Sequence, residues 1–374
     1  MDFRPSDDQT AVRDLARDIL GKEVGPERVR AVERAPEWCD RPLWATLAEA
    51  GLLGLAVPAA EGGMGLGLLE VCVLLEEIGR VVAPLPAWST LVLAGLPLAA
   101  FGTPEQRRAW LPEIAAGEAV LTAALADDAG TPATAACPDG AGWVLDGRKV
   151  QVTAAGLARL ILVPAATPAG AAVFLVDPTA PGVAREAQRT STGEPLFTVT
   201  LAGARVGADA VLGGDPAAGA AHLPWIEERA RAAVCATQVG VSERALEITT
   251  GYVRERVQFG VPIGSFQAVQ HRLADAFIDL TTMRWAAWRA AWRLATGRPA
   301  TREVAVAKFW AADGGVRIAN TAQHLHGGIG VDMDYPIHRY FLWTKALELR
   351  LGAATPQLVR LGRELARGGP GTLG

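Results

Sequence analysis

Apolar residues recur at helical spacing through the first third of the chain. Ser6 and Gln9 have the spacing of a capping box, and apolar residues follow them at intervals of three and four. A strongly apolar stretch at residues 68–78 and a capping threonine, Thr103, continue this pattern. These features predict an N-terminal helical domain over residues 1–118.

The pattern becomes shorter between residues 119 and 215, where apolar runs alternate with turn signals. Residues 160–163 and 173–176 are continuous apolar runs typical of buried strands, and residues 197–201 alternate apolar and polar side chains. Two further strands flank Asp146-Gly147, a dipeptide that favours a hairpin turn. The segment is therefore predicted to form a middle, β-barrel-like domain.

Helical periodicity returns near residue 222 and continues almost to the end of the chain. Long amphipathic patterns cover residues 227–256, 266–296, 302–326 and 337–367. The last pattern is interrupted near Gly352 and Pro356, residues that disfavour a continuous helix. We therefore predict a C-terminal four-helix bundle over residues 216–374, and an α+β fold for the chain as a whole.

Composition and charge exclude several classes of protein. The 374 residues are 50% hydrophobic, and a net charge of -4 gives no basis for a nucleic-acid partner. The four cysteines are scattered without the spacing of metal ligands, so we expect reduced thiols and no metal site. The N-terminus lacks the pattern of a signal peptide, and we therefore expect a cytoplasmic protein.

One stretch has the length of a membrane span. Residues 81–103 carry no charged side chain, but they include Pro84, Pro86 and Pro97. Prolines at this density break the continuous helix that a bilayer requires. We therefore expect a buried helix with flanking loops, and no membrane partner.

Two motifs in the C-terminal half resemble those of the acyl-CoA dehydrogenase family. The first reads RERVQFGVPIGSFQ over residues 254–267, and the second reads QHLHGGIGVDMDYPIHR over residues 323–339. Members of that family use FAD to remove two hydrogens from the α and β carbons of an acyl thioester. The family has the same order of helical, β and helical segments, so the resemblance extends over essentially the whole chain.

The first motif implies contacts with the ADP half of an FAD, mainly one that belongs to the neighbouring subunit. By resemblance, Arg256, Phe259 and Gln267 are cofactor-binding residues. A guanidinium can hold a pyrophosphate through two parallel hydrogen bonds, and a phenyl ring can pack on a ribose or an adenine. Considered without the resemblance, such arginines are usually only solvated side chains.

The second motif implies contacts with the adenosine end of FAD across an interface. By resemblance, His324, Gly327 and Gly328 are cofactor-binding residues, and the family often has glutamine at the position of His324. Histidine can still donate one hydrogen bond, and glycines let the backbone approach a ligand closely. Considered alone, the glycine pair is equally typical of the end of a helix.

The catalytic carboxylate of the family is absent from its usual positions. Counting from Tyr335-Pro336, the first position is Leu351, and the second position used within the family is Ala230. Neither side chain can accept a proton, so no residue of this chain is predicted to be the catalytic base. Arg231, which follows the second position, is a candidate substrate-binding residue.

Positions that contact the flavin ring in the family have also changed. Ala126, in a stretch that continues to Pro132, lacks the hydroxyl that the family has there, and Gln151 replaces a tryptophan that packs on the ring. Thr153 retains the threonine that the family has two residues after that tryptophan. The losses are worth roughly 1 kcal/mol for the hydrogen bond and roughly as much for the aromatic contact. We therefore predict a degraded ring site.

These departures favour a base-less subunit in a mixed assembly. The chain resembles the partner without the glutamate in the α2β2 acyl-CoA dehydrogenases of actinobacterial steroid side-chain degradation. The resemblance implies a homologous partner subunit that supplies the glutamate and an FAD that is shared with that partner. It also implies a steroid side-chain CoA thioester as substrate and an electron-transfer flavoprotein as acceptor.

Two other functions fit the same sequence. An autonomous acyl-CoA dehydrogenase needs a relocated base, for which Glu227, Glu228 and Glu348 are the nearby carboxylates, although such glutamates are usually solvated helix charges. A non-catalytic acyl-CoA-binding or scaffold protein needs neither base nor flavin. The purified autonomous enzyme would be yellow and would reduce a dye with acyl-CoA, whereas the scaffold would stay colourless beside its partner.

Overall fold

The structure, a computed structural model, describes residues 4–131 and 133–368. It confirms the α+β fold, because a helical segment, a sheet and a second helical segment follow one another along the chain. The described residues cluster into two compact units. We call them the helical unit (Met1–Pro26, Cys72–Ala83 and Arg231–Gly374, as far as described) and the sheet unit (Glu27–Val71 and Pro84–Ala230). The predicted domain boundaries after residues 118 and 215 stay a prediction.

Helices precede the sheet, as the apolar spacing predicts. They are α1 (Asp7–Glu23), α2 (Pro26–Arg34), α3 (Arg41–Glu49), α4 (Leu68–Val81), a π-helix (Trp88–Gly95), α5 (Leu96–Phe101) and α6 (Pro104–Ala115). Ser6 and Gln9 form the predicted capping box, and Thr103 forms another with Gln106. The uncharged stretch at residues 81–103 contains the π-helix and α5, and among the described residues no helix is long and apolar enough to cross a membrane.

The sheet of the sheet unit has the strand order β1-β5-β3-β4-β8-β7, with β2 paired to β4 and β6 paired to β5. Its strands are β1 (Leu121–Ala123), β2 (Ala126–Asp127), β3 (Ala135–Asp139), β4 (Gly142–Thr153), β5 (Leu160–Thr167), β6 (Gly170–Val176), β7 (Val183–Gln188) and β8 (Leu196–Gly207). The two continuous apolar runs lie in β5 and β6, which pair with each other and supply buried core residues. Such runs are expected where both faces of a strand are covered.

The predicted hairpin turn at Asp146-Gly147 is wrong. Both residues lie inside β4, which continues to Thr153 and shifts its register against β8 between Leu145 and Gly147. A Cβ atom at Gly147 would lie 2.4 Å from the hydroxyl oxygen of Thr134, so the position requires glycine for close packing. A dipeptide that is typical of turns therefore forms an irregularity within a longer strand.

The C-terminal helices match the predicted four patterns closely. The segment contains α7 (Gly219–Glu255), the short strands β9 (Val257–Gln258) and β10 (Val261–Pro262), α8 (Gln267–Ala295), α9 (Thr301–His326), α10 (Ile337–Leu349) and α11 (Ala354–Gly368). The fourth pattern is divided into α10 and α11, because Leu351 and Gly352 have φ angles of +58° and +98°. Within the bundle, α9 packs against α8, α10 and α11.

Two glycines allow α4 and α7 to cross closely within the helical unit. A Cβ atom at Gly240 would lie 1.8 Å from the carbonyl oxygen of Glu76, and one at Gly79 would lie 2.3 Å from that of Thr237. A larger side chain at either position would force the helices apart. The crossing leaves the Glu76 carboxylate almost completely buried.

A cluster of charged side chains surrounds this crossing. Arg284 donates to Glu243 at 2.6 Å and lies 3.5 Å from the Glu76 carboxylate, while Arg80 pairs with Glu243 and Glu247. Burial raises the pKa of the Glu76 carboxyl to about 7, and attraction to Arg284 only partly opposes this increase. The cluster thus contains one carboxyl group that holds its proton near neutral pH.

Candidate functional site

The first motif forms a short hairpin at the end of α7. The N–H of Arg256 donates to the carbonyl of Tyr252 at 2.9 Å, and the N–H of Ile263 donates to the carbonyl of Arg256 at 2.8 Å. Strands β9 and β10 pair antiparallel across a two-residue turn, Phe259-Gly260, in which both φ angles are positive (+56° and +82°). Such turns match the twist of the flanking strands but strain a residue other than glycine or asparagine at the first position.

The hairpin presents all three predicted residues at the surface. Arg256 and Gln267 are exposed, and Gln267 is the first residue of α8. Phe259 is 94% exposed, and its ring meets that of Phe266 edge-on with the centroids 6.2 Å apart. A guanidinium, an aromatic ring and a carboxamide of this segment are therefore all exposed, and these are groups that can bind a phosphate or pack on an adenine.

The glycine turn of the second motif is equally open. Helix α9 ends at His326, and the N–H of Gly327, whose φ is +61°, donates to the carbonyls of Gln323 and His324. A Cβ atom at Gly327 or Gly328 would meet nothing within 4 Å, and His324 is exposed. The turn is thus a helix C-terminus, as its glycines suggest, whose backbone is accessible to a ligand.

Contacts among three aromatic side chains, which no sequence pattern predicts, connect these two motifs. The ring of His326 stacks on that of Tyr252, with the centroids 4.5 Å apart, and it also approaches Tyr335. Tyr252 lies in the last turns of α7, directly before the hairpin. Of these contacts, the sequence indicates only that a second histidine, His326, lies two residues after His324 in the second motif.

The first base position lies in the loop between α10 and α11. Leu351 has a left-handed backbone, and its carbonyl accepts hydrogen bonds from Nε of Arg231 at 3.5 Å and Nε2 of Gln357 at 3.2 Å. Gln357 also donates to the carbonyl of Gly352 at 3.2 Å. Side chains from α7 and α11 therefore hold the backbone of this loop, and position 351 itself carries no acidic group.

A buried lysine stands next to this loop. Nζ of Lys308 donates to the carbonyls of Leu347 and Glu348, at 3.1 and 2.9 Å, and so caps the C-terminus of α10. Burial lowers its pKa to about 8, and the neighbouring Arg231 and Arg350 act in the same direction. The carboxylate of Glu348 pairs with Lys345. The Glu348 side chain is thus engaged in an ion pair at the end of α10.

The second base position is covered by an indole within the sheet unit. Ala230 is fully buried, and its carbonyl accepts a hydrogen bond from Nε1 of Trp88 at 3.1 Å. Glu227 and Glu228 lie on the preceding turn of α7, and both are half-buried. The geometry thus provides an apolar methyl group, and no carboxylate, at position 230.

The changed ring positions lie beside each other in the sheet. Ala126 of β2 is opposite Val150 of β4, directly before Gln151, whose φ is +57°. The next pair along these strands joins Asp127 to Lys149, and their charged groups are 2.7 Å apart. Pro132 lies outside the described residues.

Thr153, the threonine that the chain shares with the family near the flavin ring, is buried, and its hydroxyl and carbonyl groups both have hydrogen-bond partners within the chain. Its hydroxyl lies 2.7 Å from that of Ser89 in the π-helix, and its carbonyl accepts a hydrogen bond from the hydroxyl of Thr122 at 2.8 Å. Trp88, Ser89 and Thr122 were not singled out from the sequence, because nothing in a local pattern indicates a contact across such distances along the chain.

Comparison with known proteins gives matches along the whole chain. Residues 6–118 match the family model "Acyl-CoA dehydrogenase, N-terminal domain", and residues 227–366 match "Acyl-CoA dehydrogenase, C-terminal domain". The chain is 41% identical over 374 residues to acyl-CoA dehydrogenase FadE27 of Mycobacterium tuberculosis, covering 98% of this chain and 99% of that protein.

Two solved structures, each named for two components, are also similar. A chain of the ChsE4–ChsE5 complex from Mycobacterium tuberculosis superposes with a TM-score of 0.94 at 41% identity, covering 98% of this chain and 99% of that one. A chain of a Tcur3481–Tcur3483 steroid ACAD variant superposes with a TM-score of 0.89 at 45% identity, covering 96% and 98%.

Proposed function

We propose, from the premise that this chain belongs to the acyl-CoA dehydrogenase family, that it is the subunit without a catalytic base in a mixed dehydrogenase. The family consists of oxidoreductases that use FAD. In this proposal the chain contributes to α,β-dehydrogenation of an acyl-CoA only together with a homologous partner subunit. That partner supplies the glutamate and the site for the flavin ring.

The observation that carries the proposal is the chemistry of the two base positions. Leu351 and Ala230 cannot accept the α proton of a thioester, whose loss must accompany transfer of the β hydrogen. Loss of a general base commonly costs about 10²–10⁴-fold in rate. Glu348, the glutamate closest in sequence to Leu351, is ion-paired with Lys345 at the end of α10, and in this proposal it does not replace the missing base.

The two ends of an FAD fit this chain differently. Arg256, Phe259 and Gln267 are exposed, and the glycine turn is open, so the adenosine diphosphate end fits. The ring end does not fit, because Gln151 has no aromatic face and the Thr153 hydroxyl is bonded to Ser89. Bound FAD supplies the acceptor for the two hydrogens, and this chain's share in that site is to hold the diphosphate and the adenosine.

The proposed assembly and substrate are supported by two similar solved structures. One is a complex of ChsE4 and ChsE5, and the other is named for two components, Tcur3481 and Tcur3483, and is called a steroid ACAD. We therefore propose an α2β2 tetramer, a steroid side-chain CoA thioester as substrate and an electron-transfer flavoprotein as acceptor, in a cytoplasmic protein. Arg231 follows Ala230 in the sequence and donates a hydrogen bond to the carbonyl of Leu351. It remains the proposed substrate-binding residue.

Flavin stoichiometry tests this function. The chain is produced alone and together with a homologous subunit that carries a glutamate at the position of Leu351, and FAD absorbance is compared with protein mass. We expect about one FAD per two chains in the mixed tetramer, and no acyl-CoA-dependent dye reduction by the chain alone. One FAD per chain together with activity alone would instead establish the autonomous enzyme, and a colourless mixture would establish the scaffold.

A further inference from the structure

Two histidines hold Tyr335, the residue at the end of the loop that follows the glycine turn. Nε2 of His326 lies 3.2 Å from the hydroxyl of Tyr335, and Nδ1 of His338 lies 2.6 Å from its carbonyl oxygen. Both histidines are buried, at the end of α9 and the start of α10. The end of the loop of residues 327–335 is therefore held by side chains of the two flanking helices.

The hydrogen bonds of His326 define its protonation. A backbone carbonyl can only accept, so Nδ1 carries the proton that it donates to the carbonyl of Ala322, 2.7 Å away. Burial lowers the pKa of His326, which favours the neutral ring. Nε2 is then an acceptor, and the Tyr335 hydroxyl donates to it. Both nitrogens are thus used inside the protein.

The same imidazole connects the loop to the hairpin of the first motif. Its ring stacks on Tyr252, with an interplanar angle of 24°, and the Tyr335 ring meets Tyr252 edge-on with the centroids 6.3 Å apart. The carbonyl of Tyr252 in turn accepts the N–H of Arg256 at 2.9 Å. A continuous series of contacts therefore leads from the glycine turn to the backbone of the arginine.

We propose that His326 and Tyr335 are positioning residues that fix the glycine turn and the Arg256 hairpin relative to each other, so that both contact one adenosine diphosphate group. The inference rests on the proposed function, because it requires that both segments bind the same FAD. The two segments lie on different helices, and contacts of a bidentate guanidinium lose much of their value when the group shifts by about 1 Å. Neither His326 nor Tyr335 touches the cofactor in this proposal.

The test measures FAD release from the purified mixed tetramer. Tyr335→Phe removes only the hydroxyl, and His326→Phe keeps a ring to stack on Tyr252 but removes both hydrogen bonds. We expect each to accelerate FAD release about tenfold, equivalent to about 1.4 kcal/mol. His326→Gln provides an amide oxygen to accept the Tyr335 hydroxyl, so it should restore part of the retention that His326→Phe loses.

A matched control separates positioning from general stability. Tyr340 is a buried tyrosine of the helical unit, and its hydroxyl donates to the carbonyl of Arg80 at 2.8 Å. Tyr340→Phe therefore also removes the hydrogen bonds of a tyrosine hydroxyl and should lower the unfolding midpoint of the tetramer. It should leave FAD release unchanged, because those bonds do not connect the glycine turn to the hairpin.

Arg256→Ala in the same experiment distinguishes this inference from the proposed function. If Arg256→Ala accelerates release but Tyr335→Phe and His326→Phe retain FAD like the unsubstituted tetramer, the positioning role is refuted and the proposed function stands. If Arg256→Ala has no effect, the chain does not hold the diphosphate and both proposals are refuted. Should His326→Phe fail to assemble, release from Tyr335→Phe still decides the question.

Discussion

The hydroxyl groups of Ser89 and Thr153 lie 2.7 Å apart in the interior of the sheet unit. Because Thr153 directs its hydroxyl to the chain's own π-helix, we expect it to act as a structural residue in this subunit. Thr153→Val should leave the Ser89 hydroxyl buried without this partner and destabilise the protein by about 1–3 kcal/mol. It should not change the FAD content of the mixed tetramer.

Chemical denaturation and flavin absorbance of the same samples check this expectation. The double variant Ser89→Ala with Thr153→Val removes both hydroxyls, so its loss of stability should be smaller than the sum of the single losses. A fall in FAD content on Thr153→Val, with the tetramer intact, would show that the threonine still serves a flavin ring in this chain.

No glutamate near the base positions should be essential for turnover. Glu227→Gln, Glu228→Gln and Glu348→Gln are each expected to leave kcat of the mixed tetramer within about tenfold, less than the ~10²-fold minimum for loss of a general base. Steady-state dye reduction with acyl-CoA measures this directly. A thousandfold fall for one variant that keeps its flavin would identify that residue as the base.

The Arg256 guanidinium should account for much of the FAD retention. A charge-assisted, bidentate contact is worth about 1.5–3 kcal/mol, so Arg256→Ala should accelerate FAD dissociation roughly ten- to a hundredfold. Arg256→Lys should restore only part of the retention, because an ammonium keeps the charge but not the planar pair of donors. Fluorescence of released flavin follows the reaction.

Arg254 provides the matched control for that measurement. It is exposed on the last turn of α7, two residues before Arg256, and it contributes the same charge. Arg254→Ala should therefore leave dissociation nearly unchanged. Equal effects of Arg254→Ala and Arg256→Ala would indicate only long-range attraction between the cofactor and a positive surface.

Glu76 should make the protein less stable as the pH rises. Its pKa is about 7 in the folded protein against an ordinary value of 4.5, so between these values the folded state binds more protons than the unfolded state. The free energy of unfolding then decreases from pH 4.5 to 7 and shows no further change from this group above 7. A tenfold change in proton affinity corresponds to about 1.4 kcal/mol, so the whole decrease amounts to roughly 3 kcal/mol.

Glu76→Gln removes this dependence. The stability of the variant relative to the unsubstituted protein should increase between pH 4.5 and 7, as measured by denaturation at several pH values. Glu186→Gln, at an exposed position of β7, is the control and should show no such trend. A difference that stays constant with pH would mean that Glu76 is ionised throughout, held by Arg284.

Strong periodicity made the long helices the most predictable part of the fold. The pattern at residues 302–326 corresponds to a helix at Thr301–His326, and the one at 266–296 to Gln267–Ala295. The predicted turn at Asp146-Gly147 is wrong because pairing with β8 and the close approach of Thr134 decide the conformation there. Local turn propensity is weaker than the sum of these contacts.

The candidate site could be predicted only as far as its motifs extend. Arg256 and the glycine turn follow from short sequence patterns that resemble those of the family. The Ser89–Thr153 and His326–Tyr252 contacts join residues that are far apart in the chain, and no local periodicity encodes which buried hydroxyl or ring meets which. Such contacts become visible only when the helices and the sheet are placed in space.

The loop at Leu351 is held through its backbone, and this has a consequence for how an enzyme of this fold can specialise. Arg231 and Gln357 hold this loop through its carbonyl oxygens, and neither contact involves the side chain at position 351. A lineage can therefore exchange the residue at that position while the surrounding architecture stays intact. Under the proposed function, a chain that loses its acid–base chemistry at this position keeps the scaffold, and with it the surface that it offers a sister subunit.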